Sequence, residues 1–362
     1  MEGVRYRKQR TPLSNSPTPG TQHDNRSVIP VTSTIPLTAY GRPSSVRVLF
    51  ALVGRQISAS LSAGGLFRRL LLLPLSFLLL SSALLPRLEL YQHSLQTRAF
   101  LLFNCMAVIN CVSAPAAAYQ LAAQRDRYYE ESSRLRLYRG PLLVLSQILA
   151  NLPFDLLSVG VASAALYWII PLRLDALWAQ RWAVHAATYW ALHTLAQQVT
   201  IALLCVVRSR FLCSLLAAAL LNVLLVAGSG LLRNTLSTTG SWLSLFNHAN
   251  PYYYASWTVQ FNEFHNNPLL DRLPALGDDL HSILPCPVNV LPGRCLYLNG
   301  THFLAHRYRE GVEASKHLLG EFSLHFWRNF ALLHVLVLAA YAINSIVYVV
   351  PLPASLKAKF RD

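Results

Sequence analysis

His302, His306 and Glu310 recur at i, i+4 and i+8, a spacing that would present three metal-type ligands on one face of a helix. No second ligand cluster accompanies them, so no metal is expected. Asp155 is the one charged group between Arg139 and Arg173. Two residues after Pro153, it reads as a carboxylate at the positive end of a helix, with a proton relay as the alternative. Cys286 and Cys295 bracket Pro287, Pro292 and Gly293. In an oxidising compartment they read as a local disulfide, a bridge to a partner chain being the alternative. Asn299-Gly300-Thr301 is a glycosylation acceptor under the same condition. A second match, Asn25-Arg26-Ser27, falls in a segment expected in the cytosol. Cys105, Cys111, Cys205 and Cys213 lie in or at apolar runs and read as small hydrophobes. The sequence contains no Gly-x-x-x-x-Gly-Lys-Ser/Thr, Gly-x-Ser-x-Gly or His-Glu-x-x-His motif.

The elements that must hold these residues follow from charge. Only 13% of the 362 residues are charged and 53% are hydrophobic, with mean hydropathy +0.35. A typical globular protein is about 25% charged. That excludes a disordered chain, a secreted disulfide scaffold and a soluble two-domain enzyme. The net charge of +15 sits between apolar runs, where the positive-inside bias and anionic headgroups account for it, so no nucleic-acid partner is expected.

A bilayer core of about 30 Å needs roughly 20 apolar residues per helix. Six charge-poor stretches meet that need, near 66–86, 99–120, 153–171, 183–207, 211–232 and 329–352, with 141–152 read as an interfacial lead-in to the third. Backbone amides in lipid must be satisfied within the segment, which predicts an all-α membrane protein of six transmembrane helices. Lys and Arg number ten in 1–69, five in 124–140, two in 208–210 and three after Pro353, against four in the two short loops on the other side. Both termini are therefore expected in the cytosol. No cleavable signal peptide is visible in 1–45, so the first span is expected to act as signal anchor.

Residues 1–45, rich in Ser, Thr and Pro, read as a disordered cytosolic tail, and 356–362 as a second tail. Within 46–65, Val46, Leu49, Phe50, Val53, Ile57 and Leu61 form an apolar helical stripe, with Arg47, Arg55 and Gln56 off it. This predicts an amphipathic helix at the inner leaflet. The loop 124–140 mixes both charge signs, as a short helix docking on another protein would. Trp242 to Phe246 and Pro251 to Trp257 carry aromatic residues at headgroup density, which predicts re-entrant or interfacial helices opening an outer loop over about 237–325.

Several motifs then fall in a telling order: Tyr138 followed fifteen residues later by Pro153 in Asn151-Leu152-Pro153, Gly228-Ser229-Gly230-Leu231-Leu232-Arg233-Asn234 closing the fifth span, then Ser241-Trp242-Leu243-Ser244 and Asn262-Glu263-Phe264 before the cysteine-bearing loop. Over 46–355 the chain resembles the transmembrane half of the G subfamily of ATP-binding cassette transporters, and its sterol-exporting sterolin type most. The resemblance implies an ABC-2 type transmembrane domain at 66–355 that exports sterols or related lipids. It implies Leu231 and Leu232 as a valve, Ile109 and Asn110 on the substrate route, and Glu130, Glu131, Arg134 and Tyr138 in an elbow that transmits nucleotide-driven motion. It also implies a second half-transporter as homo- or heterodimer partner and a multi-pass plasma-membrane location, apical for a sterolin. Family members carry a nucleotide-binding domain ahead of the connecting helix, where this sequence has 45 residues. ATP and Mg are therefore expected to act through a partner or a longer form, and no cofactor or enzymatic activity is expected of this chain. A non-transporting regulatory subunit is the alternative in a different class; a polytopic membrane enzyme is the third.

Overall fold

A computed structural model of the chain describes residues 44–84, 94–133, 138–170, 177–207, 209–230, 242–265, 300–308 and 324–347, together with 172, 267, 272–274 and 283–285. The described residues are almost entirely helical. Ser44 caps α1 (Ser45–Ser60), its hydroxyl accepting from the Arg47 amide at 3.4 Å. A single turn, α2 (Ala63–Leu66), runs through a π-helical turn at Phe67–Leu71 into α3 (Leu72–Leu84). Then come α4 (Leu95–Ser133), α5 (Gly140–Ile169), α6 (Trp178–Leu204) and α7 (Arg210–Gly228). Two shorter helices follow, α8 (Trp242–Ala249) and α9 (Pro251–Phe264). Strands β1 (Arg272–Pro274) and β2 (Ile283–Pro285) pair antiparallel, Leu273 opposite Leu284. Finally α10 (Gly300–Arg307) precedes α11 (Leu324–Val347).

The bundle is apolar outside and buries a set of polar groups among an apolar core. Leu79, Val161, Trp168, Phe211, Val223 and Leu338 are exposed, while Asn110, Ser113, Asp155, His193, Gln197 and Asn344 are buried. Such a surface suits hydrocarbon as solvent, where the polar groups must find partners inside the protein. Five described segments are long and apolar enough to cross a membrane: Gly64–Ala83, Leu95–Tyr128, Gly140–Ile169, Arg210–Gly228 and His325–Val347. Helix α6, 27 residues long, is the exception to the six expected spans. It buries Arg181, His185, His193, Gln197 and Gln198, and α4, α5, α7, α9 and α11 all pack on it. Its composition is polar because its environment is other helices.

Two expected boundaries are corrected. The lead-in at 141–152 and the third span are one 30-residue helix, with Pro153 in its interior. Likewise the second span and the first part of the elbow are one 39-residue helix that passes Pro115. Proline removes one donor and disfavours the helix locally, but packed neighbours in a membrane bundle can hold the turn together. Asp155 is therefore mid-helix and cannot be the N-terminal cap that its distance from Pro153 suggested.

Helix α1 turns its stripe outward. Val46, Phe50 and Leu61 are exposed while Leu52, Gln56 and Ser60 are buried, and Gln56 Nε2 donates to Ser146 Oγ of α5 at 2.9 Å. The polar side docks on protein and the apolar side is left for lipid, the geometry of an interfacial helix.

Candidate functional site

Ile109 and Asn110, expected on the substrate route, lie where α4, α7 and α9 converge. Ile109 and Asn110 are fully buried. Asn110 Nδ2 donates to Asn222 Oδ1 of α7 at 3.3 Å, and the Tyr252 hydroxyl of α9 donates to Asn110 Oδ1 at 2.5 Å. Asn222 also donates to the Ala218 carbonyl at 2.9 Å and to Cys111 Sγ at 3.5 Å. Asn110 thus ties three helices together, and Cys111 beside it is the exposed group on that face. Along α7 the exposed residues include Leu212, Leu215, Leu216, Leu220 and Val223, and no charged residue follows Arg210 in the helix. Leu231 and Leu232 lie outside the described residues.

The Gly-Ser-Gly motif has a physical role just short of them. A Cβ on Gly228 would lie 2.6 Å from Asn250 Nδ2 and 2.9 Å from the Tyr253 amide nitrogen, so α7 and α9 cross with no room for a side chain. The Ser229 carbonyl accepts from Ser256 Oγ at 3.1 Å and from the Tyr308 hydroxyl at 2.9 Å. Gly230 turns the chain at φ 65°, where glycine carries no Cβ penalty. Asn250 caps α9, accepting from the Tyr252 amide at 3.0 Å while its Nδ2 donates to the Leu224 carbonyl at 2.7 Å.

Asn262-Glu263-Phe264 clasps the same end of the bundle. Arg98 Nη1 donates to Glu263 Oε1 at 2.7 Å with both side chains almost fully buried, and Arg98 Nε donates to Ser94 Oγ at 3.0 Å. Arg181 Nη1 donates to the Asn262 carbonyl at 3.0 Å, where the final turn of α9 offers unpaired carbonyls. Asn262 Nδ2 donates to the Arg181 carbonyl at 2.9 Å and to the Tyr167 hydroxyl at 3.2 Å. Two residues of α9, Asn262 and Glu263, therefore bind the starts of α4 and α6 and the end of α5.

Sequence reasoning missed a polar seam at mid-bundle. Asp155 Oδ1 lies 3.2 Å from His193 Nε2, Gln197 Nε2 donates to both Asp155 oxygens at 3.0 Å, and His193 Nδ1 lies 2.7 Å from Ser113 Oγ. With Nε2–H donating to Asp155 and the Ser113 hydroxyl donating to Nδ1, both ring nitrogens are satisfied. Asn151 Nδ2 donates to Gln197 Oε1 at 3.4 Å and Asn151 Oδ1 accepts from Arg69 Nη2 at 2.9 Å, extending the seam to α3's entry turn. The signal was present: Asn151 and Asp155, and His193 and Gln197, are each four residues apart within apolar surroundings, which puts each pair on one helix face.

At the opposite end of α4, where Glu131 is roughly 50 Å from Arg98 at 1.5 Å per residue, lies the segment expected to form the elbow. Arg55 of α1 makes a two-pronged contact with Glu131, Nη1 to Oε1 at 2.6 Å and Nη2 to Oε2 at 3.2 Å. The Tyr138 hydroxyl donates to Glu131 Oε2 at 2.6 Å. Burial pushes the Glu131 carboxyl up, but the Arg55 and Tyr138 hydrogen bonds outweigh it and hold it below the usual carboxylate range. The hydrogen bond to Glu131 raises Arg55 in turn, and burial together with Glu131 raises Tyr138. Arg125 Nη1 donates to the carbonyls of Leu204 and Val207, both at 3.0 Å, closing the end of α6. Glu130 is in α4, its side chain outside the described residues; Arg134, Cys286, Cys295, Asn299 and Glu310 lie outside them entirely. No group of three metal-type ligands occurs among the described residues.

The Glu131 contact carries a pH prediction. A carboxyl held below its unfolded value stabilises the docked state above that value and loses the contribution as pH falls through the folded one. Docking of α1 should be constant from pH 8 to about 5 and loosen only below the ordinary Glu value of about 4.3. Glu131→Gln should loosen it already at pH 7, by roughly 1 kcal/mol for this part-buried pair. Amide hydrogen exchange in α1 reads both; equal protection in variant and wild type at pH 7 would contradict the assignment.

A bundle with an apolar jacket, a polar seam and five helices of membrane-crossing length and composition is an integral, multi-pass membrane domain. The ABC-2 type transporter family matches residues 47–264, more than half of the chain, and the chain belongs to that family. Comparison with curated proteins gives no match.

Proposed function

We propose that this chain is the transmembrane half of a G-subfamily exporter of sterols or related lipids, working as a homo- or heterodimer in the plasma membrane with both termini in the cytosol. The observation that carries the reading is the exposed face of α7, aliphatic and uncharged, with Asn222 of α7 and Cys111 of α4 in contact beside it. A flat apolar cargo entering from a leaflet needs such a wall, and a second copy or a related half-transporter would supply the other wall. ATP and Mg would act through the partner's nucleotide-binding domain, whose motion would reach α4 through the Arg55, Glu131 and Tyr138 contact. Apical placement, the Cys286 to Cys295 disulfide and glycosylation at Asn299 belong to the sterolin form of the proposal.

The test is co-expression with a sterol half-transporter, reading sterol efflux and ATPase activity together. Stimulated efflux is expected, and replacing Leu231 and Leu232 by Ala should change it severalfold without loss of association. Association with suppressed efflux, unaffected by those substitutions, would instead make the chain a regulatory subunit.

A further inference from the structure

Between α1, the π-helical turn and α4 lies an open cavity of about 180 Å³, lined by Ser60, Arg68, Arg69, Gln120, Gln124 and Arg127 with Tyr119 and small residues. Three guanidinium groups share this space with no acidic side chain in its lining. The π turn brings the consecutive Arg68 and Arg69 to one cavity, and turns of this kind are frequent at functional sites. Arg69 is held in place by neutral groups. Its Nε donates to Gln120 Oε1 and its Nη2 to Asn151 Oδ1, both at 2.9 Å, and its guanidinium carbon lies 5.1 Å from the Phe154 ring centre. Its Nη1 is buried and has no hydrogen-bond partner among the described residues. The nearby carboxylates are engaged elsewhere, Asp155 by Gln197 and His193, and Glu131 by Arg55 and Tyr138. These donors match an anion with several oxygen acceptors.

We propose that this cavity binds the phosphate group of a membrane phospholipid, Arg69 Nη1 donating from within, Arg68 and Arg127 closing over it at the rim and Ser60 and Gln124 completing the oxygens' partners. The level of the cavity selects the source. It opens where the span Gly64–Ala83 begins, beside a helix whose exposed Phe50 and Leu61 belong at the headgroup boundary. Phosphate oxygens there meet fixed guanidinium donors, and the acyl chains can run along the exposed Phe67 and Leu71. This proposal does not rest on the transport reading.

The test is thermal unfolding of the purified, delipidated full chain in detergent, titrated with dioleoyl phosphatidic acid, dioleoylglycerol, dioleoyl phosphatidylcholine or inorganic phosphate. Phosphatidic acid should raise the melting temperature saturably and phosphatidylcholine should do so less strongly, while dioleoylglycerol and inorganic phosphate should not. The rim double variant Arg68→Gln, Arg127→Gln, which spares the buried Arg69, should weaken the apparent affinity about tenfold or more for the lost charged donors. The control Arg47→Gln, Arg210→Gln, outside the cavity, should leave it unchanged. An equal rise with dioleoylglycerol, or equal loss in the control variant, overturns the site. A rise with inorganic phosphate matching that with lipid assigns it to free phosphate and overturns the lipid source.

Discussion

Glu263→Ala should be among the most damaging single substitutions in the described part of this chain. It removes the carboxylate 2.7 Å from Arg98 at a point where both side chains are nearly inaccessible. Breaking a buried pair on one side costs roughly 3–5 kcal/mol, because the remaining charge keeps its desolvation penalty and loses its counterpart. Glu263→Gln keeps the shape and one acceptor but not the charge, so it should fall between wild type and Ala. The double change Arg98→Met, Glu263→Met should be more stable than either single variant, since removing both charges removes the penalty with the attraction. Thermal unfolding of the four proteins in one detergent measures the coupling. Singles that melt with the wild type would show that the pair is hydrated in the membrane and carries little.

Gly228→Val comes next. The space that a Cβ would need is taken by Asn250 Nδ2 and by the backbone of α9 at Tyr253, and backbone cannot step aside as a long side chain can. Overpacking of this kind costs about 1–3 kcal/mol, and displacing Asn250 also sacrifices its bond to the Leu224 carbonyl, worth about 1 kcal/mol. Gly230→Ala tests the same corner by another cause. Its φ of 65° is unfavourable for a residue with a side chain by roughly 1–2 kcal/mol, with no clash required. Folded yield and melting temperature should therefore fall more for Gly228→Val than for Gly230→Ala. If Gly228→Val is tolerated as well as Gly230→Ala, the close crossing of α7 and α9 is not what holds this corner. Because the corner leads directly into Leu231 and Leu232, loss of efflux is expected alongside loss of stability.

The motif on which the resemblance to the G subfamily rested is thus a packing and turn requirement in the structure. Asn262-Glu263-Phe264 is similar. In sequence it was a marker without a mechanism, since Arg98 is 165 residues from Glu263 and nothing local pairs them. Asp155 was misread for the same reason. Its neighbours along the chain, Pro153 above all, suggested a helix start, while its partners His193 and Gln197 come from a different helix.

What the sequence settled by itself was the solvent. Exclusion of charge over stretches long enough to cross hydrocarbon is a local property, and with it came helices, because lipid offers backbone amides no other partner. The apolar stripe of α1 and the aromatic helices α8 and α9 were legible on the same ground. What only the tertiary structure decided was the use made of the few polar residues: which helix answers Arg98, why α6 tolerates two buried histidines and two buried glutamines, which side of α1 docks, and where three arginines converge. Those outcomes depend on pairing between distant segments, and residue spacing along one helix carries a face but not the identity of the face opposite.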